Sequence, residues 1–206
     1  MRWMRRKHIV MLVGLGILAL GMTACMKKVY INLTYQLPPA SEHITGRRVY
    51  IETQDMRADT DIFNAAAKEK FQYFSGLFSL AVEAPDQQRF LLGAYPLPAL
   101  FETALKKRLE QMGITVVDQK DEDVPRFQVK INRFRINLID QKWQTDIDFE
   151  VSLSQNEKRV AREAVSGSGE RMKVIGSRDA EKVISEIFSE MINQLNIERL
   201  FQQANL

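Results

Sequence analysis

The chain has 206 residues, of which 45% are hydrophobic and 27% are charged, a balance typical of one globular domain. Its single cysteine, Cys25, excludes an internal disulfide, so stability has to come from packing. Only two histidines are present, His8 and His43, whereas a structural zinc site draws on several Cys and His ligands. The sequence therefore predicts neither a metal site nor a cofactor.

The N-terminus has the three parts of an export signal. Four basic residues come first, and residues 9–21 then form an uncharged apolar run of 13 residues. A membrane-spanning helix needs about 20 residues, so this run fits the h-region of a secretory signal. Met22-Thr23-Ala24-Cys25 follows and resembles the lipobox of bacterial lipoproteins. An uncleaved anchor helix, with an incidental cysteine, is the alternative.

The lipobox resemblance implies cleavage between Ala24 and Cys25 and acylation of Cys25, with palmitate among the attached chains. Residues 1–24 are then the signal peptide, and the membrane is a partner through this lipid. Four of the 29 basic residues precede Cys25, which leaves 25 against 26 acidic residues and a formal charge of −1. Nucleic acid is not expected as a partner, because phosphate binding needs a positive surface.

Residues 26–35 alternate between apolar and polar side chains, which predicts either a first strand or an extended tether. Pro38 and Pro39 then stiffen a polar link, since proline fixes φ and lacks an N–H donor. We therefore predict a lipidated N-terminus and tether over residues 25–46 and a single periplasmic domain over residues 47–206. That domain begins with a strand at residues 47–53.

The stretch 62–85 fits a helix and a strand about equally well. We predict a short helix followed by an extended segment near residues 77–83. Four apolar side chains stand out in it, Phe71, Phe74, Phe78 and Leu80. The preferred interpretation is that they belong to the core; the alternative is an exposed apolar contact patch that binds a partner or an apolar ligand.

Two later segments predict amphipathic helices. Residues 97–112 repeat apolar side chains at helical spacing, with Pro98 in the first turn and Gly113 just past the end. A short strand at residues 114–117 follows. The second helix is capped by Ser177, has an apolar stripe through residues 180–195 and continues in a short terminal helical segment.

Residues 127–153 predict a β-hairpin with a defined register. The apolar parity changes near Asn132 and Arg133, which indicates a β-bulge, and Asp140-Gln141 suits a tight turn. The expected partners are Leu138 with Trp143, Ile136 with Thr145, Phe134 with Ile147, Arg135 with Asp146, Arg133 with Asp148, and Lys130 with Glu150. Opposite charges then face each other on one side, which favours a solvated sheet face over an ion-binding site. Residues 155–158 predict another turn, and residues 160–174 a third strand.

No catalytic motif is present. His43 is the only general base available to a Ser-His-Asp hydrolase after signal removal, and it lies in the polar link. The Gly-x-Ser-x-Gly nucleophile motif is absent, and Ser166-Gly167-Ser168-Gly169 lacks the lysine of a phosphate-binding loop, which favours a bent or edge strand. We therefore expect a protein that is not an enzyme, with a periplasmic hydrolase as the alternative of another class.

These elements predict an α+β fold, with two amphipathic helices packed on one face of a mainly antiparallel sheet. The lipobox, the strand at residues 47–53, the Asp55-Met56-Arg57 segment with Thr60-Asp61, the helices and the strands after residue 127 together resemble the YajG-type family of uncharacterised bacterial lipoproteins. A more distant resemblance is to auxiliary lipoproteins of ABC lipid-transport systems.

We expect a membrane-anchored module of the bacterial envelope that binds another envelope component, with an envelope protein as its expected partner. Met26 follows the lipidated cysteine, where aspartate favours inner-membrane retention, so we expect the periplasm-facing side of the outer membrane, with the inner membrane as the alternative. The runner-up function is an auxiliary subunit of an ABC-type transporter for lipid or another apolar ligand.

Overall fold

The computed structural model describes residues 29–39, 44, 46–156, 158–172 and 178–206. The strands in these ranges are β1 Val29–Gln36, β2 Arg48–Asp55, β3 Phe74–Glu83, β4 Arg89–Tyr95, β5 Thr115–Val117, β6 Arg126–Ile139, β7 Lys142–Gln155 and β8 Lys158–Met172. The helices are α1 Ala65–Lys70, α2 Leu97–Gln111, α3 Arg178–Gln194 and α4 Ile197–Gln203. The predicted α+β class is confirmed.

The strands form two sheets where the sequence suggested one. The smaller sheet has the order β1-β3-β4, and the larger has the order β5-β2-β6-β7-β8. Strands β6, β7 and β8 form an antiparallel meander, whereas β2 runs parallel to both β5 and β6, and β1 runs parallel to β3. Sequence periodicity reports which face of a strand is buried but not which strand lies beside it, so the division into two sheets was not visible in it.

The register of the β6–β7 hairpin is the predicted one. The six expected residue pairs all occur, and the register shifts between Ile131 and Arg133, where the bulge was expected. Asp140 and Gln141 form the turn with φ of 48° and 62°. Two successive positive φ values match the twist of the flanking strands, and a one-residue slip would move every apolar side chain to the opposite face.

Helices α2 and α3 cover the same face of the meander. Phe101 of α2 is fully buried, and its ring centroid lies 5.5 Å from that of Phe149 and 6.2 Å from that of Phe134. It also lies 5.1 Å from the ring of Phe188 on α3. The two predicted amphipathic helices therefore share one core with the sheet, and their apolar stripes need no external partner.

Glycines in β8 let helix α3 approach the sheet closely. A Cβ atom at Gly167 would overlap the side-chain end of Met191, and one at Gly169 would overlap that of Ile187. The sequence favoured a bent or edge strand for Ser166–Gly169. These residues lie in β8, which is an edge strand of the larger sheet and is covered by α3. Glycine at these two positions therefore has a packing role, because even a methyl group there would force the Met191 or Ile187 side chain to move.

Strand β1 is part of the folded domain, which corrects the tether predicted over residues 25–46. Ile31, Leu33 and Tyr35 are fully buried, and β1 pairs along its length with β3. Of the two interpretations of residues 26–35, the first strand is therefore right for the described residues 29–35, which belong to the domain. The alternation was compatible with both because only tertiary pairing distinguishes a buried strand from an extended linker.

The strands run between two ends of the domain. The Val29 end holds the starts of β1 and β3, which pair at Val29 and Phe74, together with the β6–β7 turn and Met172, the last residue of β8. The opposite Asn156 end holds the start of β6 and the turn after β7. Strand β6 runs from the Asn156 end to the Val29 end, which fixes the direction of every strand paired with it.

Candidate functional site

The predicted lipidation site lies outside the described residues. Ala24 and Cys25 precede Val29, and His43 falls in the short gap after Pro39. The four residues of the predicted apolar patch are all described, and three of them meet at one cavity near the Val29 end.

This apolar groove is a cavity of about 450 Å³ between the chain after β2, the start of β3 and the beginning of α2. Its base includes Phe71, Phe74, Phe78 and Leu97, and its rim carries Asp55, Arg57, Asp61 and Lys68. The volume lies within the range of small-molecule sites, about 300–1,000 Å³. An apolar base with a charged rim suits a ligand that has an apolar body and a polar end.

The base of the groove is a chain of aromatic contacts. The rings of Phe63 and Phe71 stack with centroids 5.0 Å apart, and Phe74 meets Phe63 at 5.5 Å and Phe78 at 5.4 Å. Phe71 also lies 5.6 Å from Trp143. Aromatic pairs at these separations contribute about 0.5–1.5 kcal/mol beyond the area they bury. The base is therefore a firm part of the core.

An exposed patch made of the four predicted residues is not what the structure shows. Phe71, Phe78 and Leu80 are buried, and only Phe74 is half-buried. The reason is that Phe78 and Leu80 project toward the α2 side of β3, where Phe78 packs against Phe134 at 5.5 Å. Their burial supports the preferred interpretation, in which these four residues belong to the core. The groove exposes only parts of the phenylalanine rings.

A bidentate ion pair between Arg57 and Asp55 orders the rim of the groove. The Arg57 guanidinium donates to both carboxylate oxygens of Asp55 at 2.7 and 2.8 Å and to the Thr60 carbonyl oxygen at 3.2 Å. These side-chain hydrogen bonds hold the pKa of Asp55 below its usual range, against the opposing effect of partial burial. The Arg57 side chain is only 7% exposed, so it is held in the wall of the groove.

The second charged pair of the rim is solvent-exposed. Lys68 donates to Asp61 at 2.8 Å, and this hydrogen bond lowers the pKa of Asp61 and raises that of Lys68. Such an exposed pair contributes little to stability. Its place at the mouth of the groove makes both charges available to the polar end of a ligand.

Asn64 fixes the segment that forms one wall, and sequence analysis did not single it out. Its side-chain oxygen accepts from the Ala67 amide, which caps α1, and from the Leu138 amide at 3.1 Å. Its amide nitrogen donates back to the Leu138 carbonyl at 3.0 Å. An Asn before a run of alanines is a capping signal, but its contact with β6 depends on tertiary structure.

The charged face of the meander has partners of its own. Arg135 lies opposite Asp146 as expected, yet its ion pair is with Asp59 at 2.8 Å. Glu150 lies opposite Lys130 and forms an ion pair with Arg162 at 2.5 Å. These contacts agree with the solvated face that the sequence favoured over an ion-binding site.

Two buried titratable groups join α2 and β1 to α3. Arg108 of α2 donates to the Ile192 carbonyl, and burial lowers the pKa of its guanidinium. The Tyr35 hydroxyl donates to the Asn193 side chain at 2.8 Å, and burial raises its pKa. Both groups are used in packing and lie away from the groove.

A larger cavity of about 530 Å³ lies at the Asn156 end. Most of the residues that line it are polar or charged, among them Lys120, Asp121 and Glu122. We consider the smaller groove the better candidate site, because an apolar base is the common feature of ligand pockets.

Within the described ranges, no three His, Cys, Asp or Glu side chains gather as metal ligands, and no helix has the length and apolar character to cross a membrane.

The described part of the chain is therefore a two-sheet α+β domain with an apolar groove at one end. No protein-family model matches the chain, and no curated protein matches it in sequence. Its fold is similar to the crystal structure of a DUF330-family protein from Xanthomonas campestris, with a TM-score of 0.51 and 11% identity, covering 84% of this chain and 94% of that one. At that identity the likeness shows the fold alone.

Two lipoproteins are among the other solved structures that match. Rare lipoprotein B from Shewanella oneidensis is 12% identical with a TM-score of 0.41, and the match covers 51% of this chain and 88% of the rare lipoprotein B chain. A minor lipoprotein from Acinetobacter baumannii is 12% identical with a TM-score of 0.40, covering 75% and 93%. Both scores lie below 0.5, so the fold assignment depends on the DUF330-family structure.

Proposed function

We propose that this chain is a lipid-anchored protein of the bacterial envelope and acts as a non-enzymatic binding or accessory module. The observation that carries the proposal is the sequence Met22-Thr23-Ala24-Cys25 directly after an apolar run, with the only cysteine of the chain at the acceptor position. The resemblance of the order of elements to the YajG-type lipoprotein family supports it. Several acyl chains give stable membrane anchoring, whereas a single chain is marginal.

A lipid anchor would affect how such a module meets its binding partner. Confinement to a membrane surface raises its effective concentration toward any partner in the same membrane. Met26 at the position after Cys25 favours the periplasm-facing leaflet of the outer membrane. The proposal assigns the chain a binding role there, with another envelope protein as its partner.

The first test is lipid labelling of Cys25→Ala in cells. Growth with an alkyne fatty acid should label the wild-type protein, and the variant should lose at least nine-tenths of that label. Met26→Ala, which keeps the thiol and changes the next residue, is the matched control and should label normally. Unchanged labelling of Cys25→Ala would contradict the proposal, and movement of Met26→Asp to the inner membrane would support the sorting assignment.

The apolar groove favours a second candidate function, in which the module carries a lipid or another apolar ligand for a transporter. About 450 Å³ with an aromatic base and a charged rim suits an acyl chain ending in a polar group. Organic extraction of purified Cys25→Ala protein, followed by mass spectrometry, measures bound lipid without the covalent anchor. Lipid in molar proportion to protein is the expected result.

Variants of the groove make that test specific. Phe74→Lys places a charge in the lining, and Gln72→Trp fills the mouth from an exposed position, so each should reduce bound lipid at least fivefold. Phe90→Lys is the control, because Phe90 is exposed on β4 outside the groove. Equal lipid in all these proteins, with unchanged melting temperatures, would exclude the groove as the binding site.

A further inference from the structure

Exposed apolar side chains collect at the Val29 end. Tyr73 is 58% exposed, Met172 55% and Ile139 43%, and Val29 and Tyr30 are also exposed. Single exposed apolar residues are ordinary on protein surfaces, so only their common location is informative.

Strand pairing places these side chains together. The Val29 amide donates to the Tyr73 carbonyl at 3.3 Å, so the starts of β1 and β3 are joined. Lys142 pairs with both Ile139 and Met172, which brings the ends of β6 and β8 to the same level. The two groups are connected through the core, since α1 leads to Tyr73 by way of Phe71, whose ring contacts Trp143.

The length of chain before β1 indicates what this end faces. Only Met26, Lys27 and Lys28 separate Cys25 from Val29. Fully extended, the four steps from Cys25 to Val29 span at most about 14 Å. The headgroup layer on each side of a bilayer is about 5–8 Å thick. A Cys25 whose acyl chains lie in the membrane therefore holds Val29 within a short distance of the headgroups.

The composition of the Val29 end suits the membrane–water interface. Tyrosine is enriched at that level because its ring is apolar and its hydroxyl is polar. Lysines near such a surface keep their charged ends in water and are attracted to anionic lipids. Lys27 and Lys28, which lie between Cys25 and Val29 in the sequence, supply that charge, whereas Lys142 at the β6–β7 turn is already paired with Glu170 at 2.7 Å.

We propose that the Val29 end, through Tyr73, Ile139 and Met172, rests on the lipid surface that holds the acyl chains of Cys25. This inference depends on the lipidation proposed above. It orients the domain: the mouth of the apolar groove lies close to the bilayer, and the polar cavity at the Asn156 end faces away from it. The groove is then placed to exchange an apolar ligand with the membrane.

Depth-dependent fluorescence quenching in vesicles tests the orientation. Thioether-linked Cys25 does not react with thiol reagents, so one introduced cysteine carries one label. The labelled positions are Tyr73→Cys, Ile139→Cys and Met172→Cys, with Val160→Cys as the control, since Val160 is an exposed apolar residue near the Asn156 end. The full-length lipidated protein is placed in vesicles of phosphatidylethanolamine and phosphatidylglycerol that contain a headgroup-labelled spin-probe lipid.

The expected result is at least threefold stronger quenching at the three Val29-end positions than at Val160. Equal quenching at all four positions, or stronger quenching at Val160, would overturn the orientation. Protection of the three labels from a water-soluble quencher without quenching by the lipid probe would also overturn it, and would assign this surface to a protein partner or a second copy. A failure of lipidation itself is seen separately, because the unmodified protein lacks the fatty-acid label.

Discussion

Arg57 shows how one side chain orders one wall of the apolar groove. The segment after β2 is rich in acidic residues, and its close approach to the aromatic base requires that those charges be compensated. Arg57 does this from within the segment, by holding Asp55 with two hydrogen bonds and the Thr60 carbonyl with a third. Such bidentate pairs between arginine and carboxylate add geometric specificity as well as energy.

The Asp55 pKa gives a prediction for stability against pH. Because its folded pKa is lowered, ionised Asp55 stabilises the fold above its ordinary pKa of about 3.8, and this contribution is lost as the pH falls through the folded value. The free energy of unfolding of Asp55→Asn should therefore lie below that of wild type at pH 6 and approach it near pH 2.5. Urea unfolding across that range measures the difference.

The matched control for Asp55→Asn is Asp123→Asn, an equal change of charge at an exposed position in the loop before β6. It should leave the pH dependence of unfolding close to that of wild type. A stability difference between wild type and Asp55→Asn that stays constant from pH 6 to pH 2.5 would show that the ion pair does not act through ionisation of this carboxylate.

At the scale of elements, helix α3 protects the outer edge of β1. Glu181, Ser185, Ser189 and Asn193 recur every four residues on α3 and therefore form one polar row. The amides of Asn32, Thr34 and Gln36 donate to Glu181, Ser185 and Ser189 at 2.9–3.0 Å, and Asn193 donates to the Gln36 carbonyl. An edge strand with unsatisfied donors is a template for aggregation, and here a helix satisfies them.

Removing two members of this polar row should expose the edge. Ser185→Ala together with Ser189→Ala leaves the Thr34 and Gln36 amides without these acceptors, which costs about 1–3 kcal/mol for each donor left buried. We expect lower stability in urea and faster hydrogen exchange at the Thr34 and Gln36 amides. Ser168→Ala, an exposed position on β8, should change stability by less than about 0.5 kcal/mol. Unchanged exchange in the double variant would indicate that these serines are not needed to protect the edge.

At the scale of the whole molecule, the proposed lipid on Cys25 makes the short stretch of sequence before β1 important, because it would set the relation between the domain and the membrane. Because β1 belongs to the fold, the chain between Cys25 and the domain is much shorter than a tether of residues 25–46 would have been. A long tether would give the domain reach and free rotation. With Cys25 lipidated as proposed, the three residues between it and Val29 would instead restrict which surface faces the bilayer.

Lengthening the linker should relax that restriction. Twenty Gly/Ser residues inserted between Lys28 and Val29 give a flexible segment with a root-mean-square length of about 24 Å. We expect quenching of a Met172→Cys label by the lipid probe to fall toward the Val160 value. The same insertion between Lys120 and Asp121, at the Asn156 end, keeps the anchor length and should leave quenching unchanged. Equal quenching in both insertions would mean that linker length does not set the orientation.

The hairpin and the two long helices could be predicted from the sequence because their signals are local. The parity change at Asn132 and the paired charges specified the β6–β7 register to the residue, and burial on one face leaves no alternative register of similar energy. The apolar stripes of α2 and α3 likewise belong to a period of about 3.6 residues that any core-facing helix must show.

The candidate site could be predicted only in part. Phe71, Phe74 and Phe78 were recognised as one apolar group, but not that α1, β3 and the chain after β2 bring them together at a groove. Asn64 and Arg57 were not assigned their contacts, because Leu138 and Thr60 become their neighbours only after folding. Long-range contacts of this kind leave no periodic trace in a sequence.

By itself, the sequence determined the α+β class, the hairpin register and the amphipathic helices, and it predicts an acyl acceptor at Cys25. Each of these depends on neighbouring residues or on a fixed repeat along the chain. The tertiary structure decided that residues 29–36 are a strand of the smaller sheet with one buried face, that the strands divide into two sheets, and that the aromatic residues form the base of a groove. The physical reason is that pairing partners and shared burial are properties of the packed chain, in which a favourable contact depends on what the rest of the molecule places opposite it.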